Sequence, residues 1–372
     1  MIIKNGKVFI DGEFHQVDIR IANGKINEIK PELDNDEVFD AAGNYIFPGF
    51  IDTHFHGACK VNCGDSVESM QEICRTIPQY GITSFVPTPM ASDDEVNINR
   101  IRTIRASKGA RGADILGMFL YTQYKNRSIS YYPPGINPTK EHTLKIADND
   151  LSDIIGILVA PELEGGLEWI SWVRSQGVIP VIGFSEGTGE QLSEAVKRGA
   201  TLTDHFPNGF PTIDHHMSQA VTQCLMEDDL YMQLNCDCIH VSVEYIKMML
   251  ELKGEDHIIS VSDSSQLLGM PEGEYDMGDK KVYLKDGAVR DINGKLVTGA
   301  HTYDENMRTM YANGFSLETL GKIFAENVST ALSLSDRGKI EKGRRADLVI
   351  MNENLDVMNT MIQGEWVFTK AP

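Results

Sequence analysis

YIFPGFIDTHFHG, from Tyr45 to Gly57, is a near-continuous apolar run that ends in two histidines one residue apart. A strand covered on both faces reads this way, because neither face meets water. Successive side chains on a strand point to opposite faces, so His54 and His56 share one. Seven further runs of the same character follow: GITSFVPT, ILGMFL, IIGILVA, VIPVIGF, ATLTDHF, LYMQLNC and HIISVSD. Helical patterns lie between several of them. Ser92-Asp93-Asp94-Glu95 reads as a capping box before Ile98, Ile101 and Ile104. Leu167, Ile170 and Val173 precede a stop at Gly177, and Val243, Ile246 and Leu250 precede Gly254. Eight apolar strands alternating with helices are what a closed parallel barrel needs. An open doubly wound sheet would also alternate, but no G-x-G-x-x-G follows an early strand and the polar residues gather at strand ends. The predicted fold is α/β, a (β/α)8 TIM barrel over residues 48–336.

The two ends of the chain differ from this middle. Asp11-Gly12 and Asn23-Gly24 are hairpin signals among short strands, and ADLVIM and MIQGEWVF near the other end read similarly. Neither end alone has enough strands to bury a face. Residues 1–47 and 337–372 are therefore expected to form one small β-sandwich. VYLKDGAVRDINGKL, with Asp286-Gly287 and Asn293-Gly294, reads as a hairpin inserted after the eighth strand.

With 372 residues and 41% hydrophobic content, the chain can bury one large core. Its net charge of -20 repels phosphate backbones, so nucleic acid is not an expected partner. The sequence shows no 18-residue apolar run and no secretory leader, which predicts a cytoplasmic protein without a membrane span. Six cysteines in such a chain are expected as free thiols. The pairs Cys59 with Cys63 and Cys236 with Cys238 read first as small buried residues.

His54 and His56 at the carboxyl end of a barrel strand would look into the active-site mouth, where two imidazoles can hold one divalent metal. His205 ends the sixth strand and Asp263 the eighth. Each has a bland alternative, a loop hydrogen bond for the histidine and a cap for the aspartate. Convergence of the four on one mouth favours metal binding and proton transfer.

These motifs resemble those of the N-acetylglucosamine-6-phosphate deacetylases, which are amidohydrolases. PGFIDTHFHG is similar to the first-strand metal motif, TLTDHFPNGF to T-x-x-H-x-x-N-A-M, NCDCIHVS to A-D-G-x-H-V, and VSDSS to V-T-D-A. The closing segment, GKIEKGRRADLVIMNENLDVMNTMIQGEWVF, resembles the family's β-domain. The likeness covers nearly the whole chain in the family's order. It implies Asp263 as the catalytic carboxylate and His54, His56, His205 and Asp263 around one divalent ion, zinc or else iron or manganese. It places Asn208, His240, His216 and His301 against substrate. That substrate is an amino-sugar phosphate or a related N-acyl compound, and the enzyme is expected as a homodimer.

Two departures stand against the pattern. The family's H-L-E-G-P at the third strand end is replaced by Phe119-Leu120-Tyr121-Thr122-Gln123. Its G-H-S-x-A-T at the fifth is replaced by Gly183-Phe184-Ser185-Glu186-Gly187-Thr188. Tyr121 and Phe184 thus stand where the family has a ligand glutamate and a ligand histidine, and that side of the mouth is expected to be apolar. His215-His216 falls where the family has a phosphate-binding arginine. Glu162 and Glu186 are possible substitute ligands, as are Cys236, Cys238 and His240 if the seventh strand stays extended. The alternatives to hydrolysis of a sugar phosphate are a different amide substrate or a homologue that binds without turnover.

Overall fold

The computed structural model describes residues 1–91, 93–128, 135–277 and 280–371. Eight strands run parallel: Phe50–Phe55, Ile82–Pro87, a third in two pieces (Asp114–Ile115 and Met118–Leu120), Ile154–Val159, Ile179–Ile182, Leu202–Thr203, Tyr231–Asn235 and Ile258–Val261. The first piece of the third strand pairs with the second strand and its second piece with the fourth, so the break does not interrupt the circuit. A parallel bridge from Phe55 to Ser264 closes the eighth strand onto the first. Inside, Ile51, Val86, Phe119, Leu158, Val181, Leu202 and Ile259 pack together, one from nearly every strand. The barrel is a filled core, and chemistry is confined to its ends.

Helices cover the outside with the apolar stripes their spacing predicts. Ile98, Ile101 and Ile104 are buried on the helix Asp94–Ala106. Its N-cap is Asp93, whose carboxylate accepts from the backbone N–H groups of Glu95 and Val96. Ser92, the cap read from the sequence, lies outside the described residues. Val243 and Leu250 are only partly buried, and the buried stripe of that helix is Ile246, Met249 and Lys253.

The two chain ends meet as expected of a sandwich. One sheet orders the strands Lys25–Lys30, Asp18–Ala22, Ile2–Lys4 and Val38–Asp40. The second interleaves both ends, with Leu348–Met351 antiparallel to Tyr45–Pro48, itself parallel to Lys7–Ile10. One apolar cluster, including Ile3, Val8, Ile19, Ile46, Leu348 and Met361, joins the two sheets. Gly49 then carries the chain into the barrel under Thr83, where a Cβ would fall 2.2 Å from the Thr83 hydroxyl.

Three expectations need correction. The insertion after the eighth strand is not a hairpin but a four-stranded antiparallel sheet, Gly273–Met277, Lys280–Lys285, Ala288–Asp291 and Leu296–Gly299. Its first strand turns only Tyr275 and Met277, both half-buried, toward the sheet's apolar cluster, an alternation too short to announce a strand. The sixth strand is only Leu202–Thr203, because the chain leaves the extended region at His205, with φ 21°. The seventh stops at Asn235. Cys236 is buried with its thiol on the Leu234 carbonyl, while Cys238 turns at φ 57° toward Met310. They therefore do not line one strand face with His240.

Candidate metal centre

His54 and His56 leave the first strand on one face, and their Nε2 atoms stand 2.9 Å apart. Asp263 closes the group, with Oδ1 at 3.4 Å from His54 Nε2 and 3.3 Å from His56 Nε2. The surroundings fix the tautomers. His56 Nδ1 lies 2.8 Å from the Thr88 carbonyl, which can only accept. His54 Nδ1 faces Asp204 Oδ1 at 3.0 Å and Gln233 Oε1 at 3.4 Å, both acceptors. Each Nδ1 therefore donates outward, which leaves Nε2 as the nitrogen turned toward the group. Atoms this close need a positive charge among them: burial opposes an imidazolium at His54, but Asp204 and Asp263 raise its pKa to about 9, so a cation, metal or proton, is favoured in this space. The donor set suits a divalent cation, with its imidazoles oriented by outer partners as metal-bound histidines are. Burial opposes the charged form of Asp263, but His54, His56 and His205 together hold its carboxyl well below the usual range.

Strain marks the same ring of strand ends. Asp263 has φ 46° and Phe184 φ 50°, the left-handed region that side chains other than glycine seldom adopt. Gly183 lets the fifth strand approach the sixth: a Cβ there would lie 2.6 Å from that of Asp204.

His205 stands apart from the three donors. Its ring stacks on His54 at 5.3 Å, its Nδ1 donates to the Asn208 carbonyl at 3.2 Å, and its Nε2 receives the Tyr121 hydroxyl at 3.1 Å. Asn208 turns its own amide back onto the His205 carbonyl. His240 is held by Asp237, 2.6 Å from Nδ1, beside Gly299, which bridges to Ser264 next to Asp263. His216 is exposed, its ring 3.9 Å from that of His215, and with Asp214 it forms a second group of close donors at the surface. His301 packs on Gly287 at a turn of the inserted sheet, away from the three donors. Glu162 is taken up by Ser185, Asn126 and the Glu186 backbone, and Glu186 by Ser128. Neither reaches the three donors.

The opposite side of the mouth holds more than an apolar wall. Tyr121 and Phe184 pack edge to face at 5.9 Å, and the Lys125 ammonium lies 3.5 Å from the Tyr121 ring centre and 4.2 Å from that of Phe184. Lys125 is 5% exposed. Burial lowers its pKa to about 7, although Asp204 and Asp263 pull it upward. Cation–π contact at a desolvated site returns about 2 kcal/mol, whereas taking an ammonium out of water costs several. Asp204 is as unusual. Its two buried oxygens have no well-aligned hydrogen bond, only the imidazole nitrogens of His54 and His205 at 3.0 and 3.3 Å.

Lys125, Asp204, Gln233 and Thr88 are the site residues that the sequence reading missed. Alternation places Asp204 opposite His205, and only the bend at His205 brings both inward. Gln233 did leave a signal, a polar side chain in the middle of an apolar run. Lys125 follows the third strand with no period to place it.

The chain is 29% identical to the N-acetylglucosamine-6-phosphate deacetylase of Lysinibacillus sphaericus, across 98% of this chain and 97% of the relative. It is 26% identical to the N-acetylgalactosamine-6-phosphate deacetylase of Escherichia coli O157:H7, across 93% of each. The solved structure of N-acetylglucosamine-6-phosphate deacetylase from Thermotoga maritima superposes with a TM-score of 0.87 at 26% identity, covering all of both chains. The sequence profile of the Amidohydrolase family matches residues 45–367, and the chain therefore belongs to the amidohydrolase family, hydrolases of carbon–nitrogen bonds.

Proposed function

We propose that the protein hydrolyses the N-acetyl amide of an amino-sugar phosphate, or of a related N-acyl compound, at a mouth that holds one divalent ion on His54, His56 and Asp263. The observation that carries this reading is the convergence of two imidazole Nε2 atoms and a carboxylate oxygen within 2.9 to 3.4 Å of one another. The names of the full-length relatives support the substrate class.

When bound, a divalent ion supplies Lewis acidity and lowers the pKa of a water to near neutrality. Asp263 takes the water proton and delivers it to the leaving nitrogen as the carbon–nitrogen bond breaks. Thr88 and Gln233 keep the lone pairs of His56 and His54 turned inward. His205, first expected as a ligand, is assigned here to Tyr121, whose hydroxyl it anchors. His240, set by Asp237, faces substrate with Asn208. His216 and His301 are assigned to outer parts of the ligand. Among the described residues no helix is long and apolar enough to cross a membrane, and all six cysteines are free. A cytoplasmic homodimer is the assembly we propose.

Metal analysis of the purified protein tests the reading, followed by deacetylation assays on N-acetylglucosamine 6-phosphate, N-acetylgalactosamine 6-phosphate and simpler N-acetyl amines with added zinc, manganese or iron. One ion per chain, lost in His54→Ala, is expected. Turnover of N-acetylglucosamine 6-phosphate is expected below the ordinary range of ~1–1000 per second, because a histidine pair grips phosphate more weakly than a bidentate arginine. A parent protein with no metal and no turnover of any of these amides overturns the proposal.

A further inference from the structure

The mouth holds a cation that the steps above do not use. Lys125 is 5% exposed, and its ammonium rests on the rings of Tyr121 and Phe184 at 3.5 and 4.2 Å. Among the described residues no carboxylate, carbonyl or hydroxyl accepts a hydrogen bond from it, and the carboxylates that act on it through space are Asp204 and Asp263, the mouth's own. Tyr121 ties it to the donor group: its ring lies 5.6 Å from that of His54 and 5.4 Å from that of His56. Aromatic faces do not satisfy three N–H donors. A buried ammonium left in this state is complete only when an oxygen acceptor enters the mouth.

We propose that Lys125 is a catalytic residue that binds the acyl oxygen of the substrate and carries its negative charge during attack. The proposal rests on the amide-hydrolysis reading. The water oxygen bonds to the acyl carbon, and the carbonyl electron pair moves onto the acyl oxygen, where the ammonium of Lys125 meets it. Collapse returns that pair, breaks the carbon–nitrogen bond, and leaves the nitrogen with the proton carried by Asp263. The acid's remaining proton passes to the amine, and the products are a carboxylate and an ammonium. Donors fixed before the reaction and aimed at an oxygen that gains charge are the effective ones, since nothing reorganises as the charge appears. Tyr121 and Phe184 serve as the platform that sets the ammonium in place, and replacing either with a shorter residue would free it.

The test compares the parent with Lys125→Met, which keeps the length and removes the charge, and with Lys125→Arg, which keeps the charge. Three readings are taken on the proteins as purified: metal content, kinetics on the best N-acyl amide, and calorimetric titration with acetate. Lys125→Met is expected to keep its metal, to lose about 10²–10³-fold in kcat with KM changed far less, and to bind acetate at least tenfold more weakly. Lys125→Arg is expected to recover part of both losses. If Lys125→Met keeps kcat and acetate affinity within a factor of two of the parent, the proposal is overturned. If the parent turns over no amide yet binds acetate through Lys125, the hydrolase reading fails and the oxygen-binding role of Lys125 stands.

Discussion

The first-strand side of the barrel mouth and the side formed by the third and fifth strands solve opposite electrostatic problems. On the first, His54, His56 and Asp263 crowd lone pairs together, within 2.9 to 3.4 Å, and call for a cation. On the second, Tyr121 and Phe184 seat a cation that already belongs to the chain. An added ion suits one side only, because a second would face the Lys125 ammonium. Loss of two ligand positions therefore need not mean loss of chemistry. Charge can be retained in a different form when a lysine replaces a cage of ligands.

The largest test removes the anionic member of the first side. Asp263→Asn should lower kcat by about 10²–10⁴-fold, since the amide cannot accept the water proton, while the barrel keeps its melting temperature. A loss smaller than tenfold would move the proton to another group. The contrast can then be inverted. Tyr121→Glu with Phe184→His restores two donors beside His205, yet the pair should still bind one ion while Lys125 remains. Two like unit charges about 4 Å apart repel by about 4 kcal/mol at an effective dielectric near 20. Adding Lys125→Met should raise the ratio to two ions per chain, read by elemental analysis. Two ions with Lys125 in place would show that the ammonium does not guard that side.

Lys125 also gives a pH signature. Its folded pKa, about 7, lies below its ordinary value of 10.5, so the unfolded chain holds more protons between those values and stability rises with pH across that window. The penalty is complete below the folded value and gone above the unfolded one. Lys125→Met should therefore gain about 1–4 kcal/mol in urea unfolding near pH 6, and almost nothing near pH 10.5. An equal gain at both ends would assign the effect to packing. The smallest effect expected is at Gln233. Gln233→Leu removes one acceptor from His54 Nδ1 and leaves Asp204, so metal affinity should fall by about tenfold in a chelator competition. No change would mean that Asp204 alone sets the tautomer.

Much of the fold was legible because barrel strands covered on both faces leave an unbroken apolar run, and each of the eight runs contains a strand. The inserted sheet was read as half its size because Gly273–Met277 carries only two apolar residues, Tyr275 and Met277, both half-buried. At the site, the same-face placement of His54 and His56 follows from strand alternation alone. The alternation rule misplaced Asp204, since it holds only while the backbone stays extended and His205 departs from it.

By itself the sequence determined the parallel barrel, the joining of the two chain ends, and the two histidines on one face. These depend on local period and on which residues water rejects, properties each segment carries alone. Only the tertiary structure decided which partners those residues meet. Thr88 orients His56 from 32 positions away, Gln233 meets His54 across 179, and Lys125, after the third strand, settles on Phe184, after the fifth. Such contacts are made when the barrel closes, and closure brings together side chains whose spacing along the chain carries no trace of the meeting.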